Sequence, residues 1–163
     1  MEVIIITLAP LVLLFGFVVW FGAPYVPTLK PQTQRALDLL DLKPGQTLLE
    51  LGCGDGRVMR AAAQRGLTVI GYELNPVLVL AAKLHTWKYR KQVKVIWGNY
   101  WKGSWPQADG IFVFLLDKYM DKLDKIVVQK YPHRPVKLAS YAFRIPKRKH
   151  HAKSSGVFLY IYK

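Results

Sequence analysis

LLELGCGDGR at residues 48–57, followed by YELNP at residues 72–76, decides the fold of this chain. An apolar run ends in the acidic Glu50, and Gly52, Gly54 and Gly56 then alternate with Cys53 and Asp55. A second apolar run ends in Glu73. Strand, glycine turn, helix and a second strand closing on a carboxylate is how a doubly wound sheet holds a nucleoside. Glycine lets the backbone turn tightly and approach a ligand with no side chain in the way. Glu73 would accept hydrogen bonds from both ribose hydroxyls, because an ionised carboxylate only accepts.

The glycine spacing separates two cofactors. Dinucleotide folds use GxGxxG, with the pyrophosphate on the helix N-terminus. Here the pattern is ExGxGxG, and Glu50 stands where it would repel a pyrophosphate. A carboxylate at that place suits a cation, and S-adenosylmethionine carries both an α-ammonium and a sulfonium. The segment therefore resembles motif I of the class I methyltransferases. The expected cofactor-binding set is Glu50, Gly52, Cys53, Gly54, Asp55, Gly56, Glu73, Leu74, Asn99 and Tyr100. The alternative is a bare glycine turn beside an ordinary strand-end glutamate.

Residues 3–22 carry no charge, and after Glu2 the next charged residue is Lys30. Twenty helical residues rise about 30 Å, the thickness of a bilayer's hydrocarbon core. Pro10 and Gly16 are tolerated in a membrane helix, and Trp20 and Tyr25 fall where interfacial aromatic residues lie. A cleaved signal peptide needs a basic start, a shorter apolar core and a small-residue cleavage site. Glu2 and FGAPYVP supply none of these. A buried core helix is the remaining alternative. The expectation is an uncleaved single-span anchor over residues 1–24, a linker and helix over 25–46, and the binding domain over 47–163.

All 24 lysines and arginines lie at or after Lys30, in a chain with 10 acidic residues and a formal net charge of +14. Basic residues close behind a span favour the cytoplasmic side, so the domain should face the cytoplasm. The charge also attracts anionic lipid or nucleic acid. For a domain tethered beside a bilayer, lipid is the simpler partner. One cysteine, Cys53, excludes an internal disulfide and leaves no zinc framework. The adjacent His150 and His151 have no cysteine or carboxylate nearby, so no metal site is expected.

Prolines make residues 27–31 an extended linker, and residues 32–42 space Ala36, Leu37 and Leu40 helically. Pro44-Gly45 marks a turn before a strand at 47–51. A helix at 57–65 presents Ala61, Ala62 and Ala63 to the sheet and ends at Gly66. A strand at 67–73 follows. Asn75-Pro76 then gives a cap and a first-turn proline to a helix running to about Arg90. Further strands are predicted at 93–97, 110–116, 137–143 and 156–162, with a short helix at 117–129. The strand at 110–116 is the most apolar and hence central. Residues 146–155 are too few for a crossover helix, so the last strand should return antiparallel. The prediction is an α/β, Rossmann-like, doubly wound and mostly parallel sheet. It has six strands, a trimmed C-terminal edge and one preceding transmembrane helix.

PYVPT at 24–28 behind a hydrophobic segment, then LLELGCGDGRV, GYELNP and GNYW, resembles one family more closely. These are the membrane-associated lysine methyltransferases that act on the ATP synthase c-subunit and the adenine nucleotide translocase, which have prokaryotic relatives. The likeness runs from about Gly22 to Pro146. It implies S-adenosylmethionine as cofactor and a lysine of a membrane protein as acceptor. It places cofactor contacts on Glu50, Gly52, Gly54, Asp55, Glu73 and Asn99. Related enzymes often bond the adenine amino group through an acidic residue where this chain has Asn99. Its amide oxygen either accepts that bond or makes a turn. The family's segment at the substrate's approach falls on Val26, Pro27 and Thr28. Cys53 replaces a serine common in the relatives, and Asp117-Lys118-Tyr119-Met120 is only loosely like their segment beside the acceptor.

Methyl transfer from a sulfonium is an in-line displacement, in which alignment contributes at most about 7–11 kcal/mol. A lysine acceptor must also lose a proton. Asp117 and Tyr119 either pass it to water or serve as a helix cap and a helix-face aromatic. The run from Lys147 to His151 follows the fifth strand and should emerge on the cofactor side. There it is a lipid contact, a guide for an acidic surface, or a solvated loop. Three classes stay open: a membrane-anchored protein methyltransferase, a methyltransferase of RNA or a small molecule, and a non-catalytic membrane-bound binding module.

Overall fold

Pro31 sits in the first turn of helix α1, Lys30–Leu40, where its missing N–H is not needed. The helix therefore starts two residues earlier than the proline spacing suggests. The computed structural model describes residues 26–163, so the expected span at 3–22 and Tyr25 lie outside the described residues. Among the described residues no helix is long and apolar enough to cross a membrane.

Strand β1 is Thr47–Leu51, helix α2 Arg57–Gln64, strand β2 Thr68–Glu73 and helix α3 Pro76–His85. Asn75 caps α3 by accepting from the Val77 amide at 2.9 Å. Strands β3, Val93–Trp97, and β4, Gly110–Val113, follow, and then helix α4, Met120–Lys130. Strands β5, Val136–Tyr141, β6, Ala152–Ser154, and β7, Val157–Tyr162, complete one sheet in the order β3-β2-β1-β4-β5-β7-β6. The first five strands in that order are parallel, and β7 runs antiparallel to both β5 and β6. The buried β4 takes the central position.

The sheet has seven strands rather than six. The extra one, β6, has only three residues, Ala-Lys-Ser, and lies on the edge of the sheet. Too short and too polar to show a strand period, it reads in the sequence as part of a loop.

Side chains alternate across the sheet. Leu48, Val69, Phe112 and Ala139 face one way, onto Ala36, Leu37 and Leu40 of α1, Val58, Met59 and Ala62 of α2, and Ala82 of α3. Leu49, Leu51, Ile111 and Leu138 face the other way, onto Met120, Leu123 and Val127 of α4. A loop at 98–109, not a helix, covers the β2 end of this second face. Side chains pin it: the Tyr72 hydroxyl donates to the Ser104 carbonyl at 2.6 Å, and the Trp105 indole donates to the Tyr100 carbonyl at 2.8 Å.

Within the basic run from Lys147 to His151, Arg148 turns away from the cofactor side, while His150 packs on Phe158, opposite Ser140 near the C-terminal end of β5. Ile145 is buried against α4, and Arg148 pairs with Asp124 of α4 at 2.6 Å while its guanidinium lies over the Tyr162 ring. Tyr162 is opposite Val136, at the start of β5. These anchors carry the Arg148 side chain toward the N-terminal ends of the parallel strands, whereas the His151 amide donates to the Leu159 carbonyl at mid-sheet.

Candidate functional site

The C-terminal ends of β1 and β2 meet at the glycine turn. The amides of Gly52 and Cys53 both donate to the Tyr72 carbonyl, at 2.9 and 2.8 Å. Gly52 and Gly56 have φ of +84° and +80°, left-handed values that only glycine adopts without strain. Gly56 also caps α2, so the turn feeds directly into the helix.

Glu50 shares the α2 side of the sheet with Leu48 and is 3 % exposed. Its Oε2 is buried without a hydrogen-bond partner. Burial pushes its carboxyl well above the usual carboxylate range, the charges of Asp55 and Glu73 push the same way, and the Met59 amide opposes weakly. A buried acceptor oxygen with no donor is costly unless something supplies one. A cation seated at the turn would supply it.

Glu73 ends β2 as expected, but both its oxygens turn onto backbone amides. Oε2 accepts from Gly54 at 2.9 Å, and Oε1 accepts from Leu74 and Asn75 at 2.9 and 2.8 Å. A carboxylate has about four lone-pair positions, so three are used and one remains. The two-oxygen grip on a ribose expected from the sequence is not available in this arrangement. Glu73 instead ties the glycine turn to the start of α3.

Asp55 is gripped by Arg57, whose Nε and Nη2 donate to its two oxygens at 3.0 and 2.8 Å. His85 Nδ1 stands 2.8 Å from the Asp55 carbonyl oxygen. Arg57 Nη1 also reaches the carbonyl of Thr28 at 3.5 Å, and Thr28 is buried. The segment at 26–28 is thus joined to the glycine turn, although the Val26 side chain is exposed. Arg57 closes the GDGR motif, but only the fold reveals its link to Thr28. Its place two residues after Asp55 is the only local signal.

Tyr100 and Trp101 lie with ring centres 4.7 Å apart, and Tyr119 is 6.0 Å from Trp101. Burial pushes the Tyr100 phenol up, with Tyr119 and Glu73 adding to it. Lys122 places its ammonium 4.4 Å from the centre of the Trp101 ring. Trp101, absent from the set expected from sequence, therefore forms part of an aromatic wall that accepts cations. Asn99 Oδ1 accepts from the Trp101 amide at 2.9 Å, so the amide oxygen makes the turn. Asp117 is exposed and makes no capping bond. Leu74 is half exposed beside Glu73, and Cys53 is buried with its thiol pushed up by desolvation, so it is no nucleophile. The structure thus joins Glu50, the glycine turn, Glu73 and Tyr100 in one place, and leaves Asp117 and Val26 at its margin.

Residues 50–152 match the family model described as the ANTKMT methyltransferase domain. The mouse adenine nucleotide translocase lysine N-methyltransferase is 37% identical over 112 residues, 67% of this chain and 48% of that protein. The human lysine N-methyltransferase of the ATP synthase c-subunit is 33% identical over 104 residues, 63% of this chain and 44% of that protein. The chain thus spans about half the length of these relatives. Among solved structures, an RNA methyltransferase from Salinibacter ruber in complex with S-adenosyl-L-homocysteine superposes with a TM-score of 0.76 at 27% identity. That match covers 84% of this chain and 92% of the other.

Proposed function

Because the chain belongs to the ANTKMT methyltransferase-domain family, we propose that it is an S-adenosylmethionine-dependent protein-lysine methyltransferase acting on a membrane protein. The unpartnered, buried carboxylate oxygen of Glu50 at the glycine turn carries the reading. It suits the cofactor's ammonium. The Gly52–Gly56 backbone leaves room for the amino-acid end, and Glu73 uses its remaining lone pair for a ribose hydroxyl. Leu74 and Tyr100 border the adenosine. When bound, the cofactor supplies a methyl group activated by its sulfonium. The protein's part is to align the acceptor amine with that methyl and to keep water out. The aromatic wall of Tyr100, Trp101 and Tyr119 receives the lysine side chain, because ring faces attract an ammonium and the stem packs on their carbon surface. Desolvation there lowers the amine's pKa toward the neutral form that attacks.

The uncharged segment at 3–22 anchors the domain, on the cytoplasmic side by the distribution of lysine and arginine. From Gly22 to the buried Thr28 the chain reaches at most about 22 Å even when extended. Substrates then lie at the membrane surface.

A second acceptor, RNA, is favoured by one observation: the Salinibacter ruber protein, matched over nearly its whole length, is described as an RNA methyltransferase. Transfer of a radiolabelled methyl group to membrane extract, with protein, lipid and RNA separated afterwards, distinguishes the two. We expect label in lysine of a membrane protein. Label confined to RNA would replace the lysine assignment, and no transfer to any fraction would remove the enzymatic one.

A further inference from the structure

Helix α3 reads Pro-Val-Leu-Val-Leu-Ala-Ala-Lys-Leu-His, yet of its residues only Val79 and Ala82 are buried. Val77, Leu80 and Leu84, spaced to share one side of the helix, are 54, 60 and 65 % exposed, and Trp87 just beyond is 64 % exposed. Edge strand β3, against which α3 packs, adds Trp97 at 68 %, held in place by its indole bond to the Leu74 carbonyl at 3.1 Å. A small domain rarely leaves so much large apolar surface in one place without a partner.

Two observations identify the partner. Lys88, Arg90, Lys91 and Lys94 surround the stripe, all exposed, with Arg90 lying over the Trp87 ring. Leucine and tryptophan rimmed by lysine and arginine is the composition of a surface that settles into an anionic lipid interface. The stripe also lies close to where the uncharged segment joins the domain. Thr28 touches Arg57, and Lys30, Arg57 and His85 line one groove of about 390 Å³. His85 follows Leu84 directly on α3.

We propose that the exposed face of α3 with the β3 edge is a membrane-docking surface that takes anionic phospholipid, laying the domain on the bilayer with the α1–α3 layer down and α4 away from it. This surface extends the membrane-bound reading above, and its test needs no methyl transfer, so either can fail alone.

The test uses the full chain in phosphatidylcholine vesicles, with and without a phosphatidylserine fraction of about one third. An environment-sensitive fluorophore is attached through Leu84→Cys or, as a control on the opposite layer, Lys125→Cys. Cys53 is 3 % exposed and does not compete for label. We expect quenchers on the lipid chains to reach position 84 in the phosphatidylserine vesicles and not position 125. Replacing Lys88, Lys91 and Lys94 by Gln together should lower the docked-to-undocked ratio about 100-fold, since each basic residue near an anionic leaflet contributes about a factor of five. Position 84 left open to aqueous iodide in both vesicle types would overturn the proposal. So would equal lipid quenching at 84 and 125. Shielding of position 84 from iodide without lipid quenching would also overturn it, because the cover would then be protein, either the chain's own apolar segment or a second copy.

Discussion

Glu50→Gln makes the cofactor-free protein progressively more stable relative to the parent as pH rises from about 4.5 to 7, while nearly abolishing S-adenosylmethionine binding. The carboxyl is pushed well above its ordinary value near 4.5, mainly by burial and then by Asp55 and Glu73. A carboxyl raised on folding contributes stability fully below its unfolded value, and the contribution disappears as pH climbs toward the folded one. At pH 7 the penalty reaches at most about 3 kcal/mol, which the amide does not carry. Differential scanning calorimetry across that window reads the trend. Equal slopes for parent and variant would show that Glu50 is as well solvated folded as unfolded. Cofactor binding should move the opposite way. Removing one partner of a buried ion pair costs about 3–5 kcal/mol, or roughly two to four orders of magnitude in affinity. Titration calorimetry with adenosylmethionine measures it, and an unchanged affinity would place the ammonium elsewhere. Glu73→Ala is the counterpart. It loses three amide bonds present without any ligand, so its stability and affinity should fall together.

Gly56→Ala is expected to destabilise the protein by about 2–5 kcal/mol, a large share of the usual 5–15 kcal/mol of a domain. Two causes add. At φ +80° any Cβ is strained, and here it would meet the Ala82 Cα and Cβ of α3 at 3.0 and 3.1 Å. Backbone cannot step aside as a side-chain tip can, so α3 must tilt away from α2. Gly45→Ala separates the two causes, since Gly45 has φ +86° with nothing within 4 Å of the added carbon. It should cost only the backbone part, about 1–2 kcal/mol. Urea midpoints of the two variants give the difference. If they coincide, the close approach of α2 and α3 contributes nothing.

Most of the sheet is legible in the sequence because its parallel strands are short, apolar and bounded by glycine or proline. Residues 47–51 and 93–97 emerge with the bounds read from pattern alone, and the apolar run beginning at Gly110 does take the centre. Where pattern fails, long-range contacts decide. Nothing local in Ala152-Lys153-Ser154 marks a strand; pairing with Val157–Leu159 makes it one. Nothing in KRKHH foretells that Asp124 and Tyr162 pull Arg148 to the far end of the sheet. At the site, spacing locates Glu50, the glycines and Glu73, since residues on strand ends are placed by the sheet itself. It does not reveal that Glu73 turns to amides or that Asn99 closes on Trp101, because both depend on side-chain rotamers.

The register of β1 also orders events during synthesis. β1 pairs with β2 on one side and with β4 on the other, and Leu51 meets Val113 across the second pairing. At typical elongation rates that partner follows roughly 3 to 12 s behind. Until it arrives the strand bearing Glu50 keeps an open edge. A nascent chain of this register therefore carries its glycine turn on a half-built sheet until β4 closes the second side.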